Sequence, residues 1–293
     1  MDLIYNIAAS IATSSFLRPL LNAKLRARLM IEPPDDIVTM FRTVSSQIYV
    51  MDRDSTSIHT IALGSSHCFK DFYAKEGELN LGASSVDLCV MDKLYEYAAT
   101  KLTKLRNVIC FYDVFSAGYE LKKTQARDKA IPYHILIGLP GGDIRSKIAA
   151  RCFRSIKIEP AADYRGNSAY DWFFPPETSV IERVRGHLKN AFRNKSQLVY
   201  LDSIAERAKK RGHNLLVVLP PLRKDYRALL PPSTCLYDGI EKFSPILNLQ
   251  DSPAFADCDF GDMDHCNFQG ALKCSDMIRG ALHARVSKEK ELS

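Results

Sequence analysis

The chain has 293 residues and a mass of 33.0 kDa, which is enough to bury a sizeable core without help from disulfides or metals. Hydrophobic residues make up 46% and charged residues 25%, so the composition is globular and excludes a disordered, collagen-like or coiled-coil protein. The net charge of +6 permits an acidic partner, such as a polyanionic glycan, a nucleotide or a membrane surface, without requiring one.

The first apolar stretch, residues 3–21, is interrupted by polar residues and follows Asp2, where an export signal would carry Lys or Arg. We therefore expect neither an export signal nor a membrane span. An amphipathic helix that continues through Leu25 and Leu29 fits the pattern, and it either packs on the body of the protein or lies on a partner or bilayer surface as a peripheral contact.

Strands and helices alternate along the following residues. Apolar runs predict strands at 60–63, 78–81, 107–112, 215–219 and 246–249. Helical periods predict helices from Ser84 or Ser85 to Leu102, at 197–211 with Gly212 as its end, and at about 267–284. This alternation predicts an α/β fold, a three-layer α/β/α sandwich around a mainly parallel five-stranded sheet.

Residues 120–184 do not fit the alternation, because they combine a glycine cluster, the only tryptophan and a Pro-Pro break. We expect one domain over 1–293, with a helical extension at 1–57 and an insertion at 120–184. The insertion is either a lid or acceptor-binding element over the active face, or a helical extension that only pads the sheet.

The eight cysteines contain no C-x-x-C pair, so their spacing argues against a zinc site and fits reduced thiols in a cytoplasmic protein. One group, Cys258, His265, Cys266 and Cys274, superficially resembles a ligand set, but its spacing matches no common zinc finger. The sequence therefore predicts no metal.

The first candidate for chemistry is the turn at residues 64–67, Gly-Ser-Ser-His, directly after a predicted strand. A serine at such a strand-to-helix turn lies at the carboxyl edge of the sheet, with its own N–H directed toward an incoming oxyanion. Ordinary turn chemistry explains the same letters equally well. Ser66 is the candidate nucleophile.

The second candidate is Asp262-Met-Asp-His265, in a loop before the last helix. An acid three residues before a histidine can hold one imidazole nitrogen and leave the other free to take a serine proton. His265 is then the general base and Asp262 its orienting acid. Asp264 is a competing orienter or a solvated side chain, and we favour Asp262 because the longer gap lets it fold back under the ring.

The third candidate, residues 80–85, follows the second strand and contains Gly82. A glycine there lets the backbone approach the reacting carbonyl, so Gly82 N–H is predicted to join Ser66 N–H in an oxyanion hole. The alternative is a helix-entry turn with no catalytic role.

Taken together, the three blocks resemble the SGNH/GDSL hydrolase superfamily over residues from about 58 to 284. Residues 64–66 stand where that family has Gly-Asp-Ser, 80–82 resemble its Asn-x-Gly block and 262–265 its Asp-x-x-His block. The branch that is most similar contains polysaccharide O-acetyltransferases and the D-alanyl transfer protein of teichoic-acid modification. The resemblance implies a flavodoxin-like strand order, a Ser66, Asp262 and His265 triad, and a role for Asn80 at the substrate.

One block departs from that family. Its Gly-x-Asn-Asp block would follow the third strand, but residues 111–116 read Phe-Tyr-Asp-Val-Phe-Ser and contain no asparagine. Loss of one side-chain oxyanion donor typically costs about 2.7–4 kcal/mol of transition-state stabilisation. We therefore expect an enzyme that is slow, that prefers transfer over hydrolysis, or that is inactive.

Basic side chains follow the fourth strand at Arg223, Lys224 and Arg227. They are predicted to bind an anionic sugar, a nucleotide diphosphate or a CoA phosphate, or else to form a solvated surface. A second basic group, from Arg183 to Lys195, is interpreted as a helix surface, since no nucleic-acid recognition motif accompanies it.

The resulting hypothesis is a serine esterase or O-acyltransferase. The resemblance implies that it adds an acetyl group to, or removes one from, a bacterial surface polysaccharide or its precursor. We expect no cofactor, although a transferase would need an acyl donor such as acetyl-CoA. The alternative is a non-catalytic binding or scaffold protein of polysaccharide assembly, and nucleic acid is not an expected partner.

Overall fold

The computed structural model describes residues 14, 23–155, 161, 163–168, 180–237, 239–243 and 245–291. The chain divides into two compact units: Met1–Val50 with Leu121–Tyr164, and Met51–Glu120 with Arg165–Ser293. The expected single domain, with an extension at 1–57 and an insertion at 120–184, remains a prediction. Most of the N-terminal extension and the first two thirds of the insertion belong to one unit.

The helices of the described residues lie in both units. In chain order they are α1 (Ala23–Arg28), α2 (Asp35–Arg53), α3 (Ser66–Asp71), α4 (Leu88–Lys101), α5 (Ile131–Leu136), α6 (Ile144–Ser155), α7 (Val180–Ala191), α8 (Leu198–Arg211), α9 (Lys224–Ala228), α10 (Ser233–Leu236) and α11 (Phe268–Glu291).

The first unit is held by an apolar cluster that joins its two chain segments. Met30, Ile37 and Phe41 of the N-terminal segment pack against Ile131 and Ala149 of the later one. This shared core explains why the two segments form one unit, because each alone has too little apolar surface to bury. The stretch at 3–21 lies outside the described residues, apart from residue 14.

The second unit contains a parallel sheet of five strands within the described residues. The strands are β1 (Thr60–Leu63), β2 (Glu78–Asn80), β3 (Asn107–Phe111), β4 (Asn214–Leu219) and β5 (Ile246–Asn248), in the order β2-β1-β3-β4-β5. All neighbouring pairs are parallel. The three-layer α/β/α sandwich and its flavodoxin-like order are therefore confirmed.

Each face of the sheet is covered by helices that the apolar pattern predicted. Ile109 and Phe111 of β3 join a buried cluster with Cys274 and Ile278 of α11 on one face. Val108 and Cys110 are equally buried and point to the other face, since side chains alternate along a strand. The helices α4 and α8 pack against each other.

The predicted helix boundaries hold at one place and fail at another. Gly212 ends α8 in the left-handed conformation, with φ of 68°, as predicted. The helix expected from Ser84 or Ser85 begins instead at Leu88, because Asp87 caps it by accepting from Val90 N. Ser85 has φ of 67° and belongs to the preceding turn.

None of the described helices combines the length and the apolar character that a membrane span requires.

Candidate active site

Ser66 begins α3 immediately after β1, at the carboxyl edge of the sheet. The chain continues from β1 to the edge strand β2 on one side and later to β3 on the other, so Ser66 lies at the point where the strand order reverses. Ligands of such sheets bind at this crevice. Gly64 makes the turn possible, because a Cβ there would lie 2.4 Å from Cys68 Cβ.

The structure brings the predicted nucleophile, base and acid together. Ser66 Oγ is 2.9 Å from His265 Nε2, although the two residues are 199 positions apart. His265 Nδ1 lies 2.9 Å from Asp262 Oδ2 and 3.1 Å from Asp262 Oδ1. Serine, imidazole and carboxylate thus form one continuous hydrogen-bonded line.

The chemistry of the line fixes its proton positions. Burial raises the pKa of Asp262, but the hydrogen bond and charge of His265 outweigh this and lower it, so the side chain is a carboxylate that can only accept. In the neutral imidazole of His265, Nδ1 then carries the proton and Nε2 accepts from the Ser66 hydroxyl. This is the tautomer that a general base for serine needs.

The Asp262 loop is held by hydrogen bonds on both sides of this contact. Asp262 Oδ1 accepts from the backbone N–H groups of Asp264 and His265. Arg223 Nη1 reaches the Asp262 carbonyl at 3.5 Å. The three-residue gap therefore lets the acid fold back under the ring, as predicted from the sequence.

Asp264 is not solvated, which corrects one of the two roles considered for it. It is completely buried, and its Oδ2 lies 3.0 Å from Arg183 Nε and 3.5 Å from His67 Nε2. Its Oδ1 lies 3.4 Å from His265 Nδ1, so it supports the base from a second side. Burial raises the pKa of Asp264, but the charges of His265, His67 and Arg183 hold it well below its usual value.

His67 was part of the Gly-Ser-Ser-His turn, but sequence reasoning gave it no role. Its buried ring has Nδ1 3.0 Å from Asp113 Oδ1 and stacks on the His265 ring, with centroids 4.5 Å apart and planes 25° apart. Burial lowers the pKa of His67, yet the carboxylates of Asp113 and Asp264 raise it well above its usual value. His67 is therefore an imidazolium.

Asp113 stands directly beyond β3, at the place of the missing Gly-x-Asn-Asp block. Its Oδ2 accepts a hydrogen bond from Ser65 Oγ, and its backbone N–H donates to Ser116 Oγ at 2.8 Å. Burial raises the pKa of Asp113, but the charge and contact of His67 lower it overall. Asp113 thus anchors the turn on both sides of Ser66.

Helix α7 contributes two further side chains, which corrects the interpretation of Arg183 as a helix surface. Arg183 and His187 are four residues apart and share one face of α7. His187 Nδ1 is 3.7 Å from Asp264 Oδ2 and 2.6 Å from Tyr226 Oη. Burial lowers the pKa of His187 to about 3, so this imidazole is neutral. The i, i+4 spacing was the available signal.

Asn80 and Gly82 have roles other than those predicted. Asn80 Nδ2 donates to the carbonyls of Cys68 and Phe72 at 2.8 and 2.7 Å, and Oδ1 accepts from Gly82 N at 2.8 Å. Asn80 is fully buried. Both side-chain groups are therefore committed to bracing α3, and the Gly82 N–H is not directed at a substrate. A Cβ at Gly82 would lie 2.6 Å from Phe69 N.

The three basic residues after β4 also differ from expectation. Arg223 is buried and forms a two-pronged ion pair with Asp225, at 2.8 and 2.7 Å. Arg227 Nε lies 2.9 Å from Asp251 Oδ1. Only Lys224 is exposed among them. Neighbouring carboxylates thus occupy two of the three predicted anion-binding groups.

Asp71, at the end of α3, ties the nucleophile helix to the base loop. Its Oδ1 accepts from Cys266 N at 2.8 Å, one residue after His265. Burial raises the pKa of Asp71 to about 7, against the opposing charges of His67 and His265. Sequence reasoning did not single out this carboxylate.

His67, Asp264 and His265 are the described residues whose ligand atoms cluster closely enough for a metal ion, within 4.8 Å of one another. The side chains fit a metal poorly. His265 contacts Ser66 and Asp262 through its two nitrogens, and a protonated His67 has no lone pair to offer. The cysteines of the group Cys258, Cys266 and Cys274 take no part in this cluster.

Comparisons of the chain with protein-family models, with curated proteins and with solved structures found no match.

Proposed function

We propose that the protein catalyses acyl transfer or ester hydrolysis through Ser66. The observation that carries this proposal is the line from Ser66 Oγ to His265 Nε2 and from His265 Nδ1 to Asp262, with both links at 2.9 Å. Its three members come from two distant parts of the chain and meet at the switch point of the sheet. A nucleophile, a base and an orienting acid are the groups that serine acyl transfer requires.

The reaction follows from the proton positions. Ser66 Oγ attacks the acyl carbon while its proton passes to His265 Nε2, and Asp262 stabilises the resulting imidazolium. The C–O bond to the leaving alcohol then breaks, and His265 returns the proton to the departing oxygen. Water or an acceptor hydroxyl next gives its proton to His265 and attacks the acyl-enzyme, which releases Ser66. The same base serves hydrolysis and transfer.

Stabilisation of the oxyanion is expected to be modest. Ser66 N–H lies in the first turn of α3, where backbone N–H groups lack an intrahelical acceptor. The Gly82 N–H is already bonded to Asn80, and Asp113 stands where the related family has an asparagine donor. We therefore expect slow turnover of activated esters.

The acyl group and the acceptor are proposed from the SGNH resemblance alone. They are an acetyl group and a hydroxyl of a bacterial surface glycan or its precursor. A transferase of this kind would draw on an acyl donor such as acetyl-CoA. The described basic residues give the donor little support, because Arg223 and Arg227 are paired with acids.

The experiment is labelling with a fluorophosphonate, in which Ser66 Oγ bonds to phosphorus and fluoride leaves. We expect one adduct, located on the peptide that contains Ser66, and no adduct in Ser66→Ala or His265→Ala. Ser84→Ala is the matched control, since Ser84 is a half-buried serine of a neighbouring loop. No adduct on the folded wild-type protein, or an adduct elsewhere, would favour the non-catalytic alternative.

A further inference from the structure

Further charges surround the triad. In the order Asp113, His67, Asp264 and Arg183 they alternate in sign, with contacts of 3.0, 3.5 and 3.0 Å between successive members, and the first three are buried. Burying three such charges is costly unless each has a partner, and each carboxylate here has a cation. Stability alone would favour apolar residues at these positions, so the arrangement calls for another explanation.

The position of His67 suggests what that explanation is. Its ring lies nearly parallel to the His265 ring at 4.5 Å, while its own nitrogens face Asp113 and Asp264. It is 2% exposed, so it cannot touch a substrate. Any influence on the reaction must pass through His265.

We propose that His67 is a positioning residue, a fixed buried cation that packs on His265 and opposes the protonation of this base. The inference rests on the proposed function and deepens it by assigning a control of the pH range in which the site works.

Charged and titratable groups face the two rings from several elements. His67 faces Asp113 beyond β3, Asp264 and His265 in the loop before α11, Asp71 on its own helix and neutral His187 on α7, with Arg183 beyond Asp264. His265 faces Asp262, Asp264 and Asp71, and His67.

The carboxylates around His265 therefore favour its imidazolium, and the charge of His67 opposes it. Two positive rings at 4.5 Å repel each other strongly in a partly desolvated site. If this repulsion is removed, His265 should hold its proton to higher pH. Since a protonated base cannot accept from Ser66, the acidic limb of the pH–rate profile would then move upward.

The test is the rate of fluorophosphonate labelling from pH 5 to 9. For His67→Gln we expect the acidic limb of the pH–rate profile to move to higher pH by about one unit. At a given pH on that limb, the labelling rate would then be about tenfold lower than in wild type. The rate on the alkaline plateau should change less. Asp264→Asn should move the limb in the opposite direction. His187→Gln is the matched control, because it removes a partly buried, uncharged imidazole next to the same carboxylate, and its limb should stay in place.

Two outcomes overturn the proposal. One is a limb of His67→Gln that stays at the wild-type pH, and the other is an equal shift in His187→Gln, which would show that any change of packing moves the profile. Should His67→Gln fail to fold, the double variant His67→Gln/Asp113→Asn removes one anion together with the cation, and its limb is then compared. If neither His67 variant folds, the direction of the Asp264→Asn shift decides. If the folded wild-type protein is not labelled at all, the proposed function itself is refuted. This result is distinct from a labelled wild type whose pH profile does not depend on His67.

Discussion

Replacement of Asp71 by Asn should change how the stability of the protein depends on pH. Asp71 is fully buried, and its pKa is raised from 3.8 to about 7, chiefly by burial. Between about pH 4 and pH 7 the folded state therefore holds a proton that the unfolded state has released. The free energy of unfolding falls through this range as pH rises, by at most about 4 kcal/mol in total.

Asparagine keeps an oxygen that can accept from Cys266 N but cannot ionise. The amide group in the place of the other oxygen costs about 1–3 kcal/mol if it lacks a partner. Asp71→Asn should thus be less stable than wild type near pH 4, gain relative to wild type up to about pH 7, and show a constant difference above this.

The assay is urea unfolding of both proteins at several pH values from 4 to 8. Asp276→Asn serves as control, because Asp276 is an exposed acid whose pKa is lowered, mainly by a hydrogen bond with Lys75. Above about pH 5 it is ionised in both states, so its difference from wild type should be flat from there to pH 8. A flat difference for Asp71→Asn as well would refute the reasoning, since burial would then not have raised the pKa of Asp71.

Three further expectations concern the nucleophile, its supporting turn and metal binding. Ser66→Ala and His265→Ala should each lower acyl turnover at least about 10³-fold with little change in melting temperature, and the double variant should be scarcely worse, because the two groups act in one step. Gly82→Ala should lower the free energy of unfolding by about 1–3 kcal/mol, measured by thermal unfolding. Gly186 lies on α7, where an added Cβ would meet open space, so Gly186→Ala should raise the free energy of unfolding by about 0.5–1 kcal/mol. Dialysis against a chelator should leave the labelling rate unchanged and elemental analysis should find no stoichiometric zinc; a stoichiometric metal that restores a lost rate would contradict this.

The sheet was predictable because its strands are short, largely apolar runs, three of which end at glycine or proline. Each predicted strand matches the observed one within one residue at either end. Helix starts were less predictable, since Ser84, Ser85 and Asp87 are all good capping residues. Only the observed backbone shows that Asp87 accepts from Val90 N.

In the candidate site, too, some features could be predicted from the sequence and others could not. The three-residue gap between Asp262 and His265 carries its own geometry, so local reasoning placed the acid under the ring. The contacts of Gly82 and Arg223 are also local, because their partners Asn80 and Asp225 lie two residues away in the chain, but the residue types alone did not show that these pairs would form. Sequence spacing identified polar residues at the carboxyl edge of the sheet but not their partners.

Asp262 and Asp264 illustrate why sequence spacing alone cannot assign the roles of two acids beside a histidine. Both contact His265 Nδ1, at 2.9 and 3.4 Å, yet only Asp264 is fully buried. A carboxylate without access to water needs cations, and here they come from Arg183 on α7 and His67 on α3. The role of Asp264 is thus set by residues far away in the chain.

Contacts with residues far away in the chain also change the interpretation of Asp113. Viewed as a departure from the SGNH pattern, it is a missing oxyanion donor. In the structure it is a carboxylate whose Oδ1 lies 3.0 Å from His67 Nδ1, in the turn that carries the nucleophile. An asparagine at this position would leave His67 with less negative charge beside it and would weaken its hold on the proton. Aspartate at 113 and histidine at 67 therefore form one electrostatic unit, and we expect a change at either position to alter the site through the other.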